Sequence, residues 1–206
     1  MDAFGKGEID ILVGTQMVSK GLDFSRVSLV AVLNADSSLN YPDFRAEEKS
    51  YQLFTQVSGR AGRESQGQVW VQTRQPNHPV FKYLTEPYDN QLARLYQQRQ
   101  ESLLPPCSAQ VLLFAKHQDI ERATAALLLC KEGAQAAGIG LDWLWLGPVP
   151  AIIARKDGQH RVHLLIQASE KKHLQAQLPE LNRWLIAQSK MLRVRTGIDV
   201  DPLWLE

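Results

Sequence analysis

The sequence has little cysteine: two residues, Cys107 and Cys130, among 206. Two thiols cannot close a four-ligand zinc site, and their apolar neighbours suit unpaired, buried side chains in a reducing cytoplasm. No apolar run approaches membrane-spanning length, and the N-terminus lacks the zoned pattern of a signal peptide, so no membrane partner is expected. An excess of one charge is also missing. With 23 basic and 22 acidic residues the net charge is +1, so no global field draws the chain to nucleic acid. Any such contact must come from local clusters. His78, His117 and His163 show no metal-ligand grouping. No Gly-x-x-x-x-Gly-Lys-[Ser/Thr] loop is present to cradle phosphates, and no Asp-Glu pair to hold magnesium. Gly5-Lys6-Gly7 lacks both the spacing and the following hydroxyl. There is no internal repeat and no low-complexity segment.

What is present suits a globular chain of one large or two small domains, 44% hydrophobic and 22% charged. Ile9-Asp10-Ile11-Leu12-Val13 and residues 27–33 are nearly continuous apolar runs of strand length, as in parallel strands buried on both faces. The first begins almost at Met1, which reads as a trimmed N-terminus. Between the two runs lies a short turn closed by Gly21. A polar loop from Asp36 to Pro42 leads to a helix expected over 43–61, with Asp43 as N-cap and Leu53, Phe54 and Val57 as its buried stripe. A third strand is expected over 67–73. Strand and helix alternate, so residues 1–76 read as an α/β layer with a parallel sheet.

Residues 77–106 read as a helical connector, with Asn77 capping a short helix and a longer one running from Tyr88 to Leu103. Leu104-Pro105-Pro106 stops it, because proline removes a donor the helix needs. From 107 to 206 the expected elements are strand 109–116, helix 119–137, strands 141–147 and 160–167, helix 170–188 and strand 190–200. That order is β-α-β-β-α-β, the ferredoxin-like split arrangement.

Chemistry concentrates in Gln56-Val57-Ser58-Gly59-Arg60-Ala61-Gly62-Arg63. Two arginines three apart share a helix face, and each offers a rigid fork of donors matched to phosphate oxygens. Gly59 and Gly62 cost a helix about 1 kcal/mol each against alanine, which a purely structural helix seldom accepts. What they provide is close approach by a phosphate or a facing backbone. A bland alternative is a solvated basic helix end, which the macrodipole favours. The second cluster is Gly14-Thr15-Gln16-Met17 with Lys20-Gly21-Leu22-Asp23-Phe24, just after the first apolar run. That position is the carboxyl end of a sheet, where α/β folds bind ligands. Lys20 can meet a phosphate and Asp23 can accept from a sugar hydroxyl; a strand, a turn and a capping aspartate would explain the same residues without a ligand.

In this order and separation the two clusters resemble motifs V and VI of the superfamily 2 helicases. The resemblance is closer to the primosomal protein N′ family of replication-restart DNA helicases. It rests on Ile11 to Phe24, on Tyr41-Pro42-Asp43-Phe44-Arg45-Ala46-Glu47-Glu48, on Gln56 to Arg63, and on Leu104-Pro105-Pro106. It continues through Leu146-Gly147-Pro148-Val149-Pro150-Ala151 and Asp199-Val200-Asp201-Pro202, and so covers essentially the whole chain. Gly-Thr-Gln-Met and Gly-Pro-Val-Pro-Ala are its more specific parts.

The resemblance implies an α/β fold: the second RecA-like helicase lobe, then a smaller ferredoxin-like domain. It implies that Arg60 and Arg63 meet the nucleotide's phosphates across a cleft between two lobes, with Gln56 beside them as catalytic residues. Gly21, Asp23 and Gly59 would lie at the nucleotide, and Thr15, Gln16 and Lys20 at the DNA backbone. ATP and magnesium would be held mainly by a first lobe that this chain does not encode, and the family's zinc-binding cysteines are not in it either. The 206 residues alone are therefore expected to show no ATPase activity. The family's partners are forked and single-stranded DNA, the acidic tail of single-strand-binding protein, and other primosome proteins. The tail would meet Lys171 and Gln175; the family often has arginine where this chain has Lys171. Arg155, Lys156, His160 and Arg161 form a basic cluster near a turn, with Arg161 the candidate DNA contact. Trp143, Trp145, Trp184 and Trp204 are expected in the core rather than as stacking platforms. The rival readings are another superfamily 2 translocase, of the branch-migration or repair kind, and a non-catalytic module that binds nucleic acid or protein.

Overall fold

A computed structural model describes residues 2–15, 27–59 and 67–203. The chain divides into two compact units, Met1–Leu95 and Tyr96–Glu206. Each is described by itself.

The first unit contains α1 (Asp2–Gly5), β1 (Leu29–Val32), α2 (Asp36–Leu39), α3 (Ala46–Ser58), β2 (Gln68–Val71), α4 (Pro79–Tyr83) and the start of α5 (Tyr88–Glu101). β1 and β2 pair in parallel, Leu29 opposite Gln68 and Val32 opposite Val71. Their carboxyl ends therefore open on the same side. Phe54, fully buried, packs with Tyr51, Ala35, Leu39 and Val80. Its ring stacks on Phe81 at 5.6 Å between centroids. Phe54 and Val57 are buried as the helical period requires, and Leu53 packs at the edge of the cluster.

Four expectations need correcting. Ile9–Val13 is not a strand: Ile11 is 77% and Val13 84% exposed, because the run has no described partner strand to complete its ladder. β1 alternates between exposed and half-buried positions instead of being covered on both faces, β2 shows the same alternation, and Leu29 and Trp70 stand out to solvent. The loop after β1 contains α2, and the cap of α4 is His78, not Asn77. His78 Nδ1 accepts from the Val80 N–H at 3.2 Å, with Pro79 at the first helical position where its missing donor costs nothing.

The second unit follows the expected order: β3 (Ala109–His117), α6 (Ile120–Ala136), β4 (Leu144–Lys156), β5 (Gln159–Ala168), α7 (Lys171–Leu192) and β6 (Arg195–Val200). The four strands form one sheet in the spatial order β4-β5-β3-β6, each neighbouring pair antiparallel. Side chains alternate across the pleat, so Val111, Leu113 and Ala115 on β3 share a face with Val162, Leu164 and Ile166 on β5. Against that face pack Ala123, Ala126, Leu127, Cys130 and Ala134 of α6 and Leu174, Leu181 and Leu185 of α7. Asp119 caps α6, its carboxylate accepting from the Glu121 N–H at 2.9 Å. Trp143 is buried, and Trp145 and Trp184 pack at the rim of the same core. Trp204 lies outside the described residues.

β4 runs to Lys156, past the Gly147-Pro148-Val149-Pro150 segment expected to end it. The reason is its place at the sheet's edge, where a missing proline donor interrupts no second ladder. Register shifts against β5 between Leu146 and Val149 and between Pro150 and Arg155 absorb the irregularity. Among the described residues no helix is long and apolar enough to cross a membrane, and no three His, Cys, Asp or Glu side chains group to hold a metal.

Candidate nucleotide and nucleic-acid site

α3 carries the first part of the arginine octet, and its start is fixed by Asp43. The Asp43 side chain is 2% exposed. It accepts from the Arg45 N–H at 2.9 Å, from Arg45 Nε at 3.2 Å and from Lys49 Nζ at 2.7 Å. Burial works to raise the Asp43 pKa, but the hydrogen bonds from Lys49 and Arg45 outweigh it and hold the carboxyl below its ordinary value. The Asp43 carbonyl also accepts from Ala46 N–H at 2.8 Å. Arg45 is the residue at the cap position itself, so Asp43 organises the turn before the helix rather than capping it by its side chain. On the far side of α3, Arg94 of α5 pairs with Glu47 and lies 4.8 Å over the Tyr83 ring.

With its apolar stripe turned inward, α3 leaves Gln56 and Gly59 exposed in its last turn. Gly59 ends the helix, its N–H donating to Thr55 O at 3.0 Å, with ordinary helical dihedrals. A Cβ there would meet only Thr55 O at 3.5 Å and Gln56 O at 3.9 Å among the described atoms. Neither helix geometry nor described packing demands a glycine at 59. Arg60 and Arg63 lie outside the described residues, as do Gln16, Lys20, Gly21 and Asp23. Thr15 is exposed, in neither helix nor strand.

A cleft of about 590 Å³ opens where β1 and β2 end, lined by Asn34, Asp36, Asn40, Gln72, Thr73 and Arg74 among others. Motif reasoning passed over it. Asn34, left-handed with φ 52°, turns the chain out of β1, a conformation asparagine tolerates. Its N–H donates to Gln72 Oε1 at 3.0 Å. Asp36 accepts from the Thr73 hydroxyl at 2.6 Å and from the Arg74 N–H at 2.9 Å, which hold its carboxyl below the ordinary value. Asp36 thus ties the end of one strand to the end of the other.

In the second unit, Arg161 is half-buried on β5, while Lys171 and Gln175 are exposed one turn apart on α7. Lys171 Nζ lies 2.6 Å from Asp201 Oδ2, so a counter-charge for the lysine at this helix start comes from the chain itself. His173 Nδ1 stands 3.5 Å from Asp142. Cys130 is buried and its thiol pKa is pushed up to about 12 by burial, while Cys107 is half-buried. Such a pair does not fit a zinc site.

Residues 100–203 match the family described as primosomal protein N C-terminal domain, and residues 1–65 match the helicase conserved C-terminal domain. The chain is similar to replication restart protein PriA of Bacillus subtilis, 37% identical over 98% of this chain and 25% of that protein. Against the same protein of Synechocystis sp. the identity is 38%, over 100% of this chain and 24% of the relative. For Haemophilus influenzae it is 39%, over 96% and 27%. The chain spans about a quarter of the length of the curated relatives it matches.

Proposed function

Since the chain belongs to the primosomal protein N family, to which replication restart protein PriA belongs, we propose that it works as the C-terminal part of an ATP-dependent 3′–5′ DNA helicase that restarts stalled forks and helps assemble the primosome. Residues 1–76, within the first unit, serve as part of the second RecA-like lobe. Residues 77–106 are a helical connector and 107–206 a ferredoxin-like domain. The parallel β1–β2 pair supports the former assignment, and the order β4-β5-β3-β6 supports the latter.

The observation that carries the nucleotide reading is the end of α3. Its buried stripe directs Gln56 and Gly59 to solvent, immediately before Arg60 and Arg63 in sequence, and no described packing accounts for the glycine. In this reading the two guanidinium forks meet the phosphates of ATP and stabilise the charge that develops on the transferring phosphoryl group. Gln56 senses the phosphate, Gly59 lets it approach, and Gly21 and Asp23 lie at the sugar. ATP and magnesium supply the transferable phosphoryl group and its counter-charge. Thr15, Gln16 and Lys20 contact the DNA backbone and link its movement to nucleotide state. Lys171 and Gln175 receive the acidic tail of single-strand-binding protein, with Asp201 as the internal group that the tail's carboxylates displace from Lys171. The protein works in the cytoplasm.

The test is DNA-stimulated ATP hydrolysis by the full-length protein carrying Arg60→Ala. The reading requires turnover to fall to the DNA-independent background; near-normal turnover refutes it.

A further inference from the structure

Two helices of the first unit meet through polar side chains at a place where apolar ones would pack. On α3 the helical period puts Glu47, Ser50 and Tyr51 on one side, and on α5 it does the same for Tyr88, Gln91 and Arg94. Glu47 Oε1 accepts from Arg94 Nη2. One turn further along α3, the Tyr51 ring lies 6.0 Å from the Tyr88 ring between centroids. The contact therefore runs up α3 and down α5, with Ser50 and Gln91 between its two ends. Both are buried, at 1% and 0% exposure. Gln91 Oε1 accepts from the same Arg94 Nη2 at 3.3 Å, so one nitrogen serves an oxygen on each helix. The Arg94 guanidinium also lies 4.8 Å over the Tyr83 ring, which ties α4 into the junction.

This junction is costly. Among the described residues Ser50 Oγ, Gln91 Nε2 and Arg94 Nε are buried without a hydrogen-bond partner. Burial also works against the Arg94 charge and lowers its pKa from the ordinary guanidinium value. Apolar side chains of similar volume would hold the two helices at least as firmly, with no polar atom left over. What a forked cation on a carboxylate adds is a fixed register between them. The register matters because of where α3 leads. Gln56 stands roughly 14 Å further along the same helix, at about 1.5 Å per residue. Gly59 follows at its end, immediately before Arg60 and Arg63 in sequence. A helix is a rigid element, so a shift at Glu47 is carried to that end.

We infer that Arg94 is a positioning residue for ATP hydrolysis: acting through Glu47, with Gln91 steadying its guanidinium, it fixes the register of the helix that leads into the arginine octet. Arg94 stands in the connector, outside every motif, and touches no reacting group. The inference rests on the nucleotide reading of the end of α3 and deepens it. Misplacing reacting groups by about 1 Å costs up to about a hundredfold in rate, which sets the scale of the expected effect.

The experiment follows DNA-stimulated ATP hydrolysis by the full-length protein. Glu47→Met combined with Arg94→Met replaces the pair by apolar side chains that suit a helix. The melting midpoint should stay level or rise, while kcat falls about tenfold and KM for ATP changes less than about twofold. Arg94→Lys keeps a cation on Glu47 and should recover most of that loss. An unchanged kcat in the double methionine variant overturns the inference, as does a lysine variant equally slow. A melting midpoint that falls together with kcat assigns the pair to the fold alone and overturns it as well. Arg60→Ala, measured alongside, separates the two claims. Normal turnover there removes the nucleotide reading itself; lost turnover there with a normal double methionine variant removes only the role given to Arg94.

Discussion

Asp43 and Lys49 face each other across the first turn of the helix that leads to the arginine octet, with Oδ2 and Nζ 2.7 Å apart. The same carboxylate takes both N–H groups that Arg45 turns toward it. One buried anion therefore sets where α3 begins and hence how Gln56 and Gly59 are presented. Asp43→Asn keeps the size and loses the charge. It should destabilise the first unit by about 2 kcal/mol at pH 7, the typical worth of a charged hydrogen-bonding group in a largely buried site. Because the folded carboxyl titrates below its ordinary value of 3.8, this stability is present above that value and lost as pH falls through the folded one. Urea unfolding should thus show wild type and Asp43→Asn converging only in strong acid. A constant difference down to pH 2 would contradict this.

Gly133 lies inside α6, where alanine would ordinarily stabilise by up to about 1 kcal/mol. Here a Cβ would sit 2.6 Å from the Trp184 ring. The packing penalty, about 1–3 kcal/mol for overfilled cores, should win. Gly133→Ala is expected to lower the melting temperature of the second unit, and a rise would show that Trp184 moves aside freely.

His163 offers a pH test. Burial first, then the charges of Arg161 and Lys116, push its pKa from 6.5 down to about 4. The neutral form is the one that the fold favours, so its contribution is complete above the unfolded value of 6.5 and is lost as pH falls toward 4. The loss should reach about 3 kcal/mol at its upper bound, at 1.36 kcal/mol for each pH unit of displacement. His163→Leu should remove the stability slope between pH 6.5 and 4; an unaltered slope would assign it to other groups.

The two thiols should differ in reactivity. Cys130 is buried with a pKa near 12, and Cys107 is half-buried. The thiolate is the reactive form, so an aromatic disulfide reagent at pH 8 should titrate Cys107 in the native chain and Cys130 only with unfolding. Equal native rates would contradict the burial of Cys130.

The second unit was legible in sequence because its local signals agree with its fold. Asp119 caps the helix that follows, and the apolar run Val111–Ala115 reads as a strand, which the structure buries throughout its first five residues, Ala109 to Leu113. The extent of β4 was not legible. Two prolines and a glycine read as a stop, and only knowledge of the neighbouring strand reveals an edge where they are tolerated. In the first unit apolar strength misled. Ile9–Val13 has strand composition but no described partner, and composition does not say what will cover a run. For the site, Gln56 and Gly59 could be picked by motif because the chemistry is contiguous in sequence. Asp36 with Thr73, and Glu47 with Arg94, could not, since each pair is assembled by the fold from segments roughly forty residues apart.

The central claim is that the octet's first arginine acts on the transferring phosphate of ATP, and the kinetics of Arg60→Lys in the full-length protein test it most directly. Lysine keeps the charge but loses the fork that grips two oxygens. If Arg60 stabilises the transition state, kcat for DNA-stimulated hydrolysis should drop about a thousandfold or more while KM for ATP changes little. A raised KM with kcat intact would show that the arginine only holds ground-state nucleotide, and unchanged values of both would remove it from the site.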